Sequence, residues 1–119
     1  MQIHPLTRFV TSPESPGGYI LEVRIEFHDE WNHPTKAIGT LSVELRDVSG
    51  ELPTLYGNVD LSDLAINARQ FEPVTQSYLL RIDPSWDAPP RPASTMRLRA
   101  LMLTPDHEQM QHSIELLWP

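Results

Sequence analysis

Along Tyr19 to His28 the residues Tyr19, Leu21, Val23, Ile25 and Phe27 fall on one face, with Glu22, Arg24, Glu26 and His28 opposite. Period two is the repeat of an extended strand, whereas a helix would scatter the same apolar side chains around its circumference. The pattern predicts a half-buried antiparallel strand, and it recurs. From Ile38 to Asp47, Leu41, Val43 and Leu45 point inward and Thr40, Ser42, Glu44 and Arg46 outward. Met96, Leu98, Ala100 and Met102 alternate with Arg97 and Arg99, and Gln109 to Trp118 returns with Ile114, Leu116 and Trp118 on one face, so these two segments predict a hairpin. Weaker strands are expected at Ile3 to Phe9, Leu55 to Asp60 and Ser77 to Asp83. Arg97 and Arg99 are placed to form cross-strand charge pairs with outward carboxylates. Gly39, just inside the start of its strand, marks a bulge or a close backbone approach.

Twelve prolines in 119 residues, roughly twice the usual frequency, punctuate these segments instead of diluting them. A short helix is expected only over residues 63–70, with Ser62 as N-cap and Asp63 in the first turn, crossing between sheets. About seven short strands with half-polar faces and no helices between parallel strands imply an all-β fold. The expected architecture is one domain over residues 1–119, an antiparallel two-sheet β-sandwich, immunoglobulin-like or C2-like. A chain of this size buries about two-thirds of its unfolded surface. A core of facing apolar strands is then sustainable, and Leu21, Val23, Ile25, Leu41, Val43, Leu45, Leu98 and Ala100 are its expected members.

The opening Ile3-His4-Pro5-Leu6-Thr7-Arg8, the stretch from Leu21 to Leu45 with its Asp29-Glu30-Trp31-Asn32-His33-Pro34 turn and Lys36-Ala37-Ile38-Gly39-Thr40-Leu41 return, Tyr78-Leu79-Leu80 and Leu103-Thr104-Pro105-Asp106 carry a resemblance. Together they resemble β-sandwich domains of unknown function from bacterial, planctomycete-type envelope proteins. Where such domains place Gly after the turn aromatic, this chain has Asn32, which also tolerates a left-handed backbone. The resemblance implies a cell-envelope or periplasmic setting, although the N-terminus has no basic region followed by an apolar stretch. It brings no activity to any residue.

Charge and composition exclude more than they assign. Nine Lys and Arg against 16 Asp and Glu give a net charge of −7, which disfavours nucleic acid as a partner. No apolar run approaches the roughly 20 residues of a membrane span. Zero cysteines remove disulfides, thiolate metal sites and thiol catalysis. His4, His28, His33, His107 and His112 are scattered, with no paired-ligand spacing, and no serine lies in a nucleophile-elbow motif. No cofactor motif is present, and the chain is not expected to be an enzyme.

If consecutive strands are antiparallel, the loops around residues 29–36, 61–75 and 105–108 share one end. Asp29, Glu30, Asp60, Asp63 and Asp106 then gather there with His33 and His107. A C2-like calcium site needs about six to eight oxygen ligands, but the Asp-x-Asp spacing of such loops is missing. Solvated acidic turns account for the same residues, and no tight metal site is expected. Trp31, His33 and Trp86 are the candidate interaction residues, Trp86 through the Pro-rich Ser85–Pro92 segment or as a plug over the core. The expected function is a non-enzymatic interaction or structural module of a bacterial envelope or exported protein, with a protein or glycan partner. Its rival is a C2-like metal-binding or carbohydrate-binding module that uses Asp29, Glu30, Trp31, Asp63 and Asp106.

Overall fold

The computed structural model describes residues 1–15 and 17–119. Its strands are β1 (Gln2–Ile3), β2 (Arg8–Thr11), β3 (Tyr19–His28), β4 (Pro34–Thr35), β5 (Thr40–Asp47), β6 (Leu55–Asp60), β7 (Phe71–Glu72), β8 (Ser77–Ile82), β9 (Thr95–Leu103) and β10 (Gln109–Leu117), with one helix, α1 (Leu64–Gln70). Every pairing is antiparallel. The first sheet is organised on β3: β1 and β2 occupy one of its edges in succession, β8 the other, β7 lies beyond β8, and β4 pairs with the end of β3. The second runs β10-β9-β5-β6.

The two sheets pack face to face through the alternating residues. Leu21, Val23, Ile25 and Phe27 of β3 are buried against Leu41, Val43 and Leu45 of β5 and Met96, Leu98, Ala100 and Met102 of β9. Burial of this kind contributes about 25 cal/mol per Å² of apolar surface and is the main term holding the sandwich. The expected β9–β10 hairpin forms, with Leu98 opposite Ile114 and Met96 opposite Leu116. Arg97 pairs with Glu115 and Arg99 with Glu44, each at 3.1 Å across adjacent strands.

Three expectations are corrected. The single strand over Ile3 to Phe9 is broken in two, because Pro5 has no N–H to give a ladder and the chain turns there, with the Thr7 amide bonded to the His4 carbonyl at 2.9 Å. Thr7 is buried in that turn, and its hydroxyl accepts the Arg24 amide at 2.9 Å. The helix N-cap is Asp63 and not Ser62: Asp63 Oδ1 accepts the amides of Ala65 and Ile66. Gly39 stands immediately before β5, not within it, and there it makes the close approach expected of it.

Candidate interaction site

Strand register brings the loops together. Thr40 at the start of β5 pairs with Asp60 at the end of β6 and with Leu103 at the end of β9, so the segments after β6 and between β9 and β10 lie at one end. In the other sheet, Ile25 near the end of β3 opposes Tyr78 at the start of β8, and Phe27 opposes Thr35. Residues 36–39 link the two sheets at this end, where the Leu61 amide bonds to the Gly39 carbonyl at 2.8 Å.

A buried polar hub holds the crossing segment against α1. Tyr78 is fully buried; its hydroxyl donates to Asn67 Oδ1 at 2.9 Å and accepts the Ala37 amide at 3.0 Å. Asn67 Nδ2 donates to the Ala37 carbonyl at 2.7 Å and the Leu61 carbonyl at 2.9 Å. A helix of seven residues is marginal by itself, and these bonds dock it from inside. Phe27 and Phe71 pack edge-on against the Tyr78 ring.

The helix is therefore oriented in an unusual sense. It buries Asn67, at 6% exposure, and turns Leu64 to solvent at 75%. Ile38 is 52% exposed, and with Ala37, Leu64 and Ala68 it lines a groove of about 510 Å³ that also touches Lys36 and Asn67. Leu103, whose carbonyl abuts Gly39, and Trp31 and Val74 on the neighbouring turns are exposed as well. Among the described residues, exposed large apolar side chains concentrate here, whereas Leu6, Val48, Tyr56 and Leu117 lie elsewhere. Single exposed apolar residues are ordinary, but a contiguous set marks a contact surface.

Four of the five acidic candidates, Asp29, Asp60, Asp63 and Asp106, are occupied in their own turns. Asp29 Oδ1 accepts the amides of Trp31 and His33 at 2.9 Å and closes a tight loop in which Asn32 takes the left-handed conformation. Asp60 Oδ1 accepts the Ser62 amide, and Asp63 caps α1. Asp106 Oδ1 accepts the Thr104 hydroxyl at 2.6 Å, a bond that holds its pKa below the usual aspartate range. Glu30 and His33 are exposed beside Trp31. Among the described residues, no three His, Asp or Glu side chains come together as metal ligands would.

Trp86 is not a surface aromatic. It is 6% exposed, donates Nε1–H to the Pro53 carbonyl at 2.8 Å and meets Trp118 edge-on, while Phe9 and Tyr19 close around Trp118 from the other side. The Pro-rich segment thus plugs the core. Beside it, residues 47–52 and 88–95 border a cleft of about 640 Å³. Its one buried ionisable group, Asp47, spends its carboxylate on Ser49 and Leu52 within the β5–β6 turn.

Sequence reasoning missed Ile38, Leu64 and Ala68 as surface residues, although an apolar residue directly after a helix cap was a usable signal. Comparison with protein-family models, with curated proteins and with solved structures found no match. No helix among the described residues is long and apolar enough to cross a membrane.

Proposed function

We propose that this chain is a non-enzymatic protein-interaction module of a bacterial cell-envelope or exported protein, and that it binds through the apolar end of the sandwich. The observation that carries the reading is the orientation of α1, which buries an asparagine and presents Leu64 beside Ile38. The hydrogen bonds of Asn67 fix this orientation from inside, and its consequence is that Leu64 and Ile38 stay uncovered side by side, an apolar pair that a partner would shield from water. Trp31, in the β3–β4 loop at the same end, is exposed as well. The envelope setting rests on the sequence resemblance alone, and finding the native protein only in the cytoplasmic fraction of its source cells would contradict it.

The test is selection from a random peptide library on the native protein, with counter-selection on the Ile38→Ser/Leu64→Ser double variant. Both side chains are exposed, so the variant is expected to melt within a few degrees of the native protein. Recovered peptides should bind the native protein and lose most of their affinity for the variant. A library that returns only binders indifferent to the variant would refute the reading.

A further inference from the structure

The same groove also carries information about what fills it, resting on the interaction reading above. Its apolar walls are aliphatic, formed by Ala37, Ile38, Leu64 and Ala68. The polar groups of Asn67 are already consumed by Tyr78, Ala37 and Leu61, and Lys36 holds its ammonium 5.1 Å from the centre of the Phe71 ring. At this end of the sandwich Asp60 closes β6 and the loops carry Asp29, Glu30, Asp63, Asp106 and Glu108, against Lys36 in the groove lining and Arg69 on α1. Among the described residues none of those six carboxylates has an ion-pair partner. The ion pairs lie elsewhere: Arg81–Glu22, Arg97–Glu115 and Arg99–Glu44 join neighbouring strands, and Arg24–Glu72 spans β8 from β3 to β7. Asp60 and Asp63 are closest in the chain to the groove: Asp60 pairs with Thr40, two residues from Ile38, and Asp63 precedes Leu64.

We infer that the occupant is a basic amphipathic segment of another protein, with aliphatic side chains seated between Ile38 and Leu64 and Lys or Arg facing the acidic rim. Charge complementarity selects this occupant over the others. A second copy of the chain would bring the same carboxylates into opposition, and an anionic lipid surface or nucleic acid would be repelled. A glycan would find aliphatic walls and an Asn67 amide whose hydrogen bonds are all spent inside. Opposed charges around an apolar centre steer encounter and suppress wrong partners, while the apolar contact slows dissociation.

Three synthetic peptides test this, with leucines in one amphipathic pattern and the remaining positions Lys, Ser or Glu, titrated by fluorescence anisotropy into the native protein and into Ile38→Ser/Leu64→Ser. The variant has the same charge as the native protein, so it separates groove binding from diffuse attraction. The Lys peptide should bind about tenfold or more tighter than the Glu peptide at low salt, and the difference should shrink as salt shortens the screening length. The double variant should weaken Lys-peptide binding about tenfold. Ser and Glu peptides that bind as well as the Lys peptide, all three weakened by the variant, would overturn the basic partner and leave the interaction reading standing. A Lys peptide that binds native protein and variant equally would overturn the groove as its seat. Failure of all three peptides to show any groove-dependent binding would count against both.

Discussion

Gly39 enters β5 at a φ of 146°, and a Cβ built there would lie 2.3 Å from the Leu103 carbonyl oxygen and 2.9 Å from the Met102 methyl. A side chain can avoid a flexible methyl, but it cannot avoid a carbonyl fixed in a sheet. Gly39→Ala is therefore expected to destabilise the fold by about 3 kcal/mol or more, through backbone strain and overlap together. Urea unfolding of the variant measures it, and a loss under about 1 kcal/mol would contradict the close approach. Asp47 makes the second residue-scale case, since it occupies an inward position of β5 in line with Leu41, Val43 and Leu45 and is only 4% exposed. Burial acts to raise its pKa, but the Ser49 hydroxyl and the amides of Ser49, Leu52 and Glu51 outweigh burial and hold the carboxyl below its usual range. A group whose pKa is depressed by folding stabilises the fold above its unfolded pKa, about 3.9 for aspartate, and ceases to do so as pH falls through the lower folded value. Asp47→Asn should then cost about 1 kcal/mol at neutral pH and progressively less below about pH 4. Unfolding free energies of the two proteins across that range check the sign, which is wrong if their difference grows with acid.

At the scale of elements, α1 is held by what it buries. Its hub joins the helix, the segment before β5 and the first residues of β8 through Asn67, Ala37, Leu61 and Tyr78. Asn67→Ala strips the amide from two carbonyls and from the Tyr78 hydroxyl at once, so a loss of about 2–3 kcal/mol is expected from the groups left unsatisfied. Chemical denaturation gives the number, and hydrogen exchange should report faster opening of α1 than of β3 or β9. Unchanged protection of α1 would mean that the groove does not depend on the hub. Most of the elements were legible in the sequence because period two is local: β3 and β6 begin and end where alternation and composition place them, and β5, β8, β9 and β10 differ by a residue or two. Two exceptions have local causes, a missing amide at Pro5 and a carboxylate at Asp63 one step closer to the helix than Ser62; the two-residue strands β4 and β7, inside segments expected to be loops, arise from pairing with β3 and β8.

At the scale of the whole molecule the two ends of the sandwich are unlike. One is sealed by Phe9, Tyr19, Trp86 and Trp118, with ring centroids 4.9 to 5.9 Å apart in edge-on contacts. The other is open, apolar at its centre and acidic around it. Its carboxylates share an end because the strands are antiparallel, yet each of Asp29, Asp60, Asp63 and Asp106 accepts hydrogen bonds within its own turn. Melting in millimolar calcium and in EDTA is accordingly expected to coincide. A tightly bound ion at 100 times its dissociation constant would add about 2.7 kcal/mol. A rise of more than about 5 °C that disappears in Asp29→Asn or Asp106→Asn would instead make this end a metal site.

The amino-acid sequence by itself determined the strands, their inward faces and the pairing of two all-β layers, because alternation is a relation between neighbours a few residues apart. It also placed Trp31, Asp29, Glu30 and Asp106 in loops, and Asn32 at a position that takes a left-handed backbone. The tertiary structure alone decided that Trp86 lies inside, that Asp47 is buried, and that α1 faces inward with Asn67 and outward with Leu64. Those outcomes depend on partners far along the chain. The Trp86 nitrogen meets a carbonyl 33 residues away, and the Asn67 amide meets one 30 residues away. Hydrophobicity read one residue at a time would bury Leu64 and expose Asn67. The opposite holds because the space beneath the helix is lined by two carbonyls and a hydroxyl, which an amide satisfies and a leucine would leave unpaired.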